Sequence, residues 1–306
     1  MNRTTCVTAI AALSFIAALH ARQATFRTGV DLVHFGVTVV DKQGRPVSGL
    51  RADDFEVLEN GKPQNLKFFT VGEPEAAPPM HLGLLLDTSG SMAEDLKDAR
   101  NAAVKFVNAI EHAADCTLVD FDTEIRVARF SASDYERLVE RIRGRKADGW
   151  TALYDALGVY LNGAQGQDGQ KILVLYTDGG DTTSSLTFRD ALDLLKASDV
   201  TVYAIGYLEH QSSSTRMQQR GELDRFAELT GGQSYFPTSS KDIEGVFDKI
   251  QQEIAGRYSL GYVSSDSRTD GAWRDVQIKL RRHDLKGVRL RTRAGYFAPY
   301  QVSRSR

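Results

Sequence analysis

The chain has 306 residues, of which 42% are hydrophobic and 25% charged, and a formal net charge of −2. Those fractions are ordinary for a folded soluble protein, and the length leaves room for more than one folding unit. A charge so near zero removes any global electrostatic case for binding nucleic acid.

The amino terminus reads as an export signal over residues 1–21. Arg3 gives the positive start, residues 7–19 are apolar but short for a membrane span, and Ala21 offers a cleavage point, although Leu19 suits a position three residues before a cut poorly. An uncleaved anchor is the competing reading. Cleavage removes Cys6 and leaves Cys116 alone, at the head of an apolar run, as a small buried core residue without a disulfide partner. An exported protein of that kind fits a bacterial envelope, periplasmic, secreted or at the cell surface, with no membrane span after cleavage.

Residues 28–72 read as β. Residues 30–40 are rich in β-branched side chains and break at the turn-forming Asp41-Lys42-Gln43-Gly44. Residues 54–59, the Asn60-Gly61 pair and residues 64–71 read as a hairpin, because Asn-Gly tolerates the positive φ that both turn positions need. The segment is small for a core of its own. Residues 73–79 form a Pro/Ala/Glu linker in which Pro74, Pro78 and Pro79 oppose helix and central strand alike.

From 79 to 256 the elements alternate. Strands are predicted at 81–86, 116–121, 124–130, 171–176, 200–206 and 233–236, and helices at 96–114, 133–143, 151–163, 188–197, 222–229 and 242–254. Leu96, Ala99, Ala103, Phe106, Val107 and Ile110 keep a helical period. The strands at 81–86 and 171–176 are apolar on both faces, as burial between two helix layers requires. The fold class that follows is α/β, with a doubly wound, mostly parallel sheet. The strand at 124–130 follows its predecessor too closely for a helical crossover and should pair antiparallel. Residues 257–300 return to β, with strands at 258–263, 273–282 and 288–297. The expectation is that this segment and residues 28–72 complete a small β-sandwich. Arg281, Arg282, Arg289, Arg291 and Arg293 read as the solvated face of a strand, with an anionic or glycan-binding surface as the alternative.

The chemistry concentrates where apolar strands end. Asp87-Thr88-Ser89-Gly90-Ser91 follows one buried run, Asp178-Gly179-Gly180 follows another, and Thr151 stands where a loop gives way to an amphipathic helix. In an open doubly wound sheet the carboxyl ends of the strands, at the point where strand order reverses, form the ligand-binding crevice. Carboxylate and hydroxyl oxygens gathered there suit a hard divalent cation. The competing reading of the Asp-x-Ser-x-Ser run alone is a helix N-cap region.

In these residues the chain resembles the von Willebrand factor type A domain with its metal-ion-dependent adhesion site. Asp87, Ser89, Ser91, Thr151 and Asp178 match the family's metal-site pattern in order and without substitution. The likeness covers roughly residues 79–256. Asp53-Asp54-Phe55-Glu56-Val57-Leu58-Glu59-Asn60-Gly61 and Arg293-Ala294-Gly295-Tyr296-Phe297 extend it to bacterial, Acidobacteria-type, von Willebrand factor A-related proteins.

The resemblance implies a Rossmann-like fold and a Mg²⁺ site, with Mn²⁺ or Ca²⁺ as alternatives. It also implies a protein partner whose Asp or Glu carboxylate completes the metal shell. A shell of hydroxyls with few carboxylates leaves the cation net positive charge and a position for that outside anion. Asp181 reads as a loop or cap residue, Asp120 and Asp122 as turn residues, and Trp150 as either core or a contact residue on the binding face. No catalytic residue is expected: Gly-x-Ser-x-Gly, His-Glu-x-x-His and a phosphate loop are all missing from the sequence. A metal-assisted hydrolase and a structural envelope protein with a stabilising metal are the other functional readings.

Overall fold

The computed structural model describes residues 32–72, 78–110, 112–282 and 284–300. The expected export signal and most of the Pro/Ala/Glu linker lie outside the described residues. The first segment supplies four strands: β1 (Leu32–Val40), β2 (Phe55–Glu59), β3 (Lys62–Gln64) and β4 (Leu66–Val71). Asn60 and Gly61 take φ of 48° and 77°, so the predicted turn forms and β2 pairs antiparallel with β3. The strand expected at 64–71 is divided. β3 stays with β2, whereas β4 crosses to a second sheet and pairs with a strand 190 residues further on.

The middle of the chain supplies β5 (Met80–Asp87), α1 (Leu96–Ala109), β6 (Ala113–Phe121), β7 (Ile125–Ser131), α2 (Tyr135–Gly144), α3 (Leu153–Ala164), β8 (Gln170–Thr177), α4 (Phe188–Ala197), β9 (Val200–Gly206), α5 (Ser213–Thr230), β10 (Gln233–Tyr235) and α6 (Asp242–Ala255). The six strands form one sheet in the order β10-β9-β8-β5-β6-β7, parallel except for β7, which runs antiparallel to β6 as its short connection requires. Strand order reverses between β5 and β8, the two strands that end near Asp87 and Asp178.

Alternate residues of β5 go to opposite faces, the period of a pleated strand. Leu82, Leu84 and Leu86 pack with α1, α2 and α6, while Leu85 packs with α3, α4 and α5. Each such leucine contributes roughly 1.5–3 kcal/mol by burial, so both helix layers are held to the strands that carry the site. Gly83 sits under the Tyr160 ring, where a Cβ would come within 2.3 Å of the aromatic carbons, so β5 and α3 approach closely only because the residue is glycine.

Two helical expectations change. α1 stops at Ala109 rather than 114, which leaves the exposed His112 in a turn and not on a helix. α5 begins at Ser213, nine residues before the predicted start, because the Ser212 hydroxyl accepts from the Thr215 amide and caps a polar first half with little apolar period.

The last segment gives β11 (Tyr258–Val263), β12 (Trp273–Leu280), β13 (Arg289–Arg291) and β14 (Gly295–Phe297). They complete two four-stranded sheets, β13-β1-β11-β4 and β14-β12-β2-β3. β1 pairs with β11 and β2 with β12, so each of the two sheets takes strands from both terminal segments. Phe35, Phe55, Tyr258, Leu260, Val276 and Ile278 share one apolar core between the sheets, with the Phe55 and Tyr258 rings 5.3 Å apart. The single strand expected at 288–297 is two strands in different sheets, since the chain leaves β13 at Thr292 to pass beneath Gly231. That crossing turns Arg291 inward to an ion pair with the buried Glu253 and lays the Arg293 guanidinium over the Phe35 ring, so these two arginines do not belong to a solvated face. Arg281 and Arg282 stay exposed.

Candidate functional site

Three loops meet above the carboxyl edge where β5 adjoins β8. The loop after β5 is tied to the loop before α3 by two main-chain bonds, Gly90 N–H to the Gly149 carbonyl (3.1 Å) and Asp148 N–H to the Thr88 carbonyl (2.9 Å). Thr88 is fixed in turn by its amide and hydroxyl, both of which donate to the Phe121 carbonyl at the end of β6 (2.7 and 3.1 Å). The Thr151 carbonyl accepts from the amides of Thr182 (2.9 Å) and Thr183 (3.2 Å), which joins the third loop. Gly149 has φ of 75°, and a Cβ there would meet the Thr123 hydroxyl at 2.6 Å. A glycine is therefore required where this loop turns under its neighbour.

Side chains complete the cluster. Asp87, fully buried, accepts from the Ser89 amide through Oδ1 (2.9 Å) and from the Thr177 hydroxyl through Oδ2 (2.6 Å). The Ser89 and Ser91 hydroxyls lie 3.2 Å apart, and Ser91 donates to Asp178 Oδ1 at 3.0 Å. Ser89 occupies the N-cap position of the short 3₁₀ turn Gly90–Ala93, yet its hydroxyl makes no capping bond and faces Ser91 instead. The helix-cap reading of this run therefore does not describe what its side chains do. Four of the five residues singled out in the sequence are linked by these bonds, and Thr151, also buried, joins them through its loop backbone.

The electrostatics of the cluster are unbalanced. Burial and the neighbouring Asp178 carboxylate push Asp87 up from 3.8 to about 6. Burial also raises Asp178, with Asp95 adding to the effect. Asp178 Oδ2 is buried with no hydrogen-bond partner. Like charges held together out of water disfavour ionisation of both, and an orphaned carboxylate oxygen is costly. Among the described residues no three His, Cys, Asp or Glu side chains gather into a metal cluster. A cation here would thus draw on hydroxyl oxygens as well as on Asp87 and Asp178. That donor set, neutral hydroxyls with two carboxylates and one free lone-pair site, fits a hard divalent ion that keeps part of its water.

Several neighbours escaped the sequence reading. Thr177 orients Asp87, and Gln211 donates to the Asp178 carbonyl (3.2 Å). Asp95, nearly buried, pairs with His210 at 2.9 Å. The Thr177-Asp178 adjacency was a usable signal for the first. Asp95 and His210 are 115 residues apart and only folding unites them. Asp181 accepts from the Tyr154 amide at the start of α3, the cap role expected of it. Asp120, expected in a turn, lies within β6, buried, and meets Arg126, Arg141 and Arg145 at 3.7, 2.8 and 2.7 Å. Trp150 is 68% exposed beside Thr151, which excludes the core reading.

A doubly wound sheet that carries an oxygen-rich loop cluster at its switch point, inserted between the halves of a β-sandwich, defines the class of protein. The von Willebrand factor type A domain model matches residues 81–253, more than half of the chain, and the chain belongs to that family. It is 27% identical over 199 residues to the uncharacterized protein YwmC of Bacillus subtilis (strain 168), a match covering 57% of this chain and 84% of that protein. Among solved structures it is similar to a von Willebrand factor type A protein from Catenulispora acidiphila, with TM-score 0.50 and 14% identity, over 91% of this chain and 76% of that one. The pilus adhesin SpaC from Lactobacillus rhamnosus GG, in its open conformation, matches with TM-score 0.50 and 11% identity, over 87% of this chain and 50% of that one. The PilB minor pilin from Streptococcus sanguinis matches with TM-score 0.50 and 15% identity, over 60% of this chain and 62% of that one. At these identities the likeness is one of fold.

Proposed function

We propose that this protein is an exported binding module of the adhesion type. In this reading Asp87, Ser89, Ser91, Thr151 and Asp178 hold one divalent cation, Mg²⁺ first and Mn²⁺ or Ca²⁺ as alternatives, and an Asp or Glu carboxylate of a protein partner completes its coordination. The observation that carries the reading is the pair of buried carboxylates, Asp87 pushed up to about 6 and Asp178 with an orphaned oxygen and its other oxygen bonded to the accessible Ser91. A bound cation relieves that repulsion, and the neutral hydroxyls leave it charge with which to attract an outside anion. The same fold in a pilus adhesin and a minor pilin agrees with this role. No helix among the described residues is long and apolar enough to cross a membrane.

Acyl-transfer chemistry has less support. The serine hydroxyls bond to each other and to Asp178, while the His210 imidazole bonds to Asp95, so the nucleophile–base contact that reaction needs is not made. The decisive experiment is capture of partners from envelope extract by the wild type and by Asp87→Ala, with Mg²⁺ or with EDTA, alongside calorimetry of Mg²⁺ uptake. Expected are saturable uptake by the wild type alone and a partner lost in both EDTA and Asp87→Ala. Partner capture indifferent to both treatments overturns the reading. Uptake of metal that stabilises the fold with no partner to lose favours the structural role instead.

A further inference from the structure

At the opposite end of the central sheet the imbalance has the other sign. Arg257 follows α6 and leads into β11, at the junction between the doubly wound sheet and the sandwich. It is only 6% exposed. One nitrogen, Nη2, donates to the Thr201 hydroxyl at 2.6 Å, while Nε and Nη1 are buried without any acceptor. The nearby acids are committed elsewhere: Glu253 to Arg291 and to the Tyr235 hydroxyl (2.9 Å), Asp199 to Lys171 (2.6 Å). Arg293 adds a further cation and spends its hydrogen bonds on the carbonyls of His34 (2.9 Å) and Ser198 (3.4 Å). Burial pushes the Arg257 pKa down, yet a guanidinium stays protonated in proteins, so its charge needs an anion or water.

There is space for one. Arg257 lines an inner chamber of about 30 Å³ together with Lys171, His34, Thr201 and Ser259. His34 Nδ1, also facing no partner, is buried. His34, Gly169, Lys171 and Asp199 are shared with an outer cleft of about 490 Å³, walled by Leu32, Val263, Tyr296, Phe297 and Pro299 and by Arg293. Of the acids on that outer wall, Asp266 is held by Arg268 and Arg274. The inner chamber admits a carboxylate head but little more, and the outer cleft offers an apolar wall for a small body behind it.

We propose that this junction is a second ligand site, for a small organic carboxylate whose head group rests against the unpartnered Arg257 nitrogens and whose apolar body lies along Tyr296 and Phe297. It is independent of the metal site, which lies at the other end of the strands. The test is titration of the full chain with sodium benzoate in EDTA, at constant ionic strength, followed by calorimetry and thermal unfolding, in the wild type, Arg257→Met and Ser259→Val. Ser259→Val fills the inner chamber with a side chain that suits a β-strand and leaves every charge in place, so it still reads the proposal if Arg257→Met folds poorly. Expected are saturable benzoate uptake with a rising melting temperature in the wild type, and affinity roughly tenfold or more weaker in both variants. A response that does not saturate, or that saturates equally in Ser259→Val, overturns the proposal and leaves water as the occupant.

Discussion

The two ends of the central sheet hold opposite charge problems. At the carboxyl end, Asp87 and Asp178 are buried together and one oxygen has no partner. At the amino end, Arg257 is buried with two nitrogens unpartnered. Elsewhere the chain neutralises its buried charges locally, as Asp120 with three arginines and Glu253 with Arg291 show. Buried charge is expensive unless paired, so the two ends left unbalanced are where an outside ion has most to offer. The lesson is that a candidate site can be recognised by its missing counter-charge as well as by its donors.

The comparison is sharpened first by a pair that is balanced. Arg291→Met strands the Glu253 carboxylate, and chemical denaturation should show a loss of about 3–5 kcal/mol. Asp87→Asn should do the reverse in the metal-free state. The amide still accepts from the Ser89 amide and can donate to Thr177, while the repulsion with Asp178 disappears. In EDTA near neutral pH the variant should match or exceed wild-type stability, by up to about 3 kcal/mol, and calorimetry should find its Mg²⁺ uptake abolished. A marked loss of stability in EDTA would break the claim that this end is short of a cation.

The pH dependence follows from the same group. Asp87 holds its proton to about 6 in the fold, against 3.8 as its ordinary value. Between those values the folded chain keeps a proton that the unfolded chain releases. The Asp87 contribution is therefore fully present below about pH 4 and is lost as pH rises through about 6. The difference in urea midpoint between wild type and Asp87→Asn, measured in EDTA across that window, should grow with pH, and saturating Mg²⁺ should cancel it.

At the other end, Arg257→Met removes a charge without a partner and keeps most of its volume. In anion-poor buffer it should be neutral or stabilising by about 1 kcal/mol, read as a shift in thermal midpoint. The smallest effect belongs to Trp150→Ala. The ring is 68% exposed, so stability should move by no more than about 0.5 kcal/mol, while cation-dependent partner capture should weaken.

Much of this was legible in the chain itself. Apolar runs of strand length ending in Asp87 and Asp178, helical periods between them, and Asn60-Gly61 are local signals, because side-chain alternation and turn geometry act over a few residues. They determined the doubly wound sheet, its antiparallel edge strand and the five residues of the loop cluster. What the tertiary structure alone decided is long-range. It divided residues 64–71 and 288–297 between two sheets, brought Asp95 to His210, and turned Arg291 and Arg293 inward from a run that reads as a solvated strand face. Which sheet a strand joins, and whether a buried charge finds its partner, depend on contacts between residues as far apart in the chain as Thr38 and Arg291, and no local pattern encodes those.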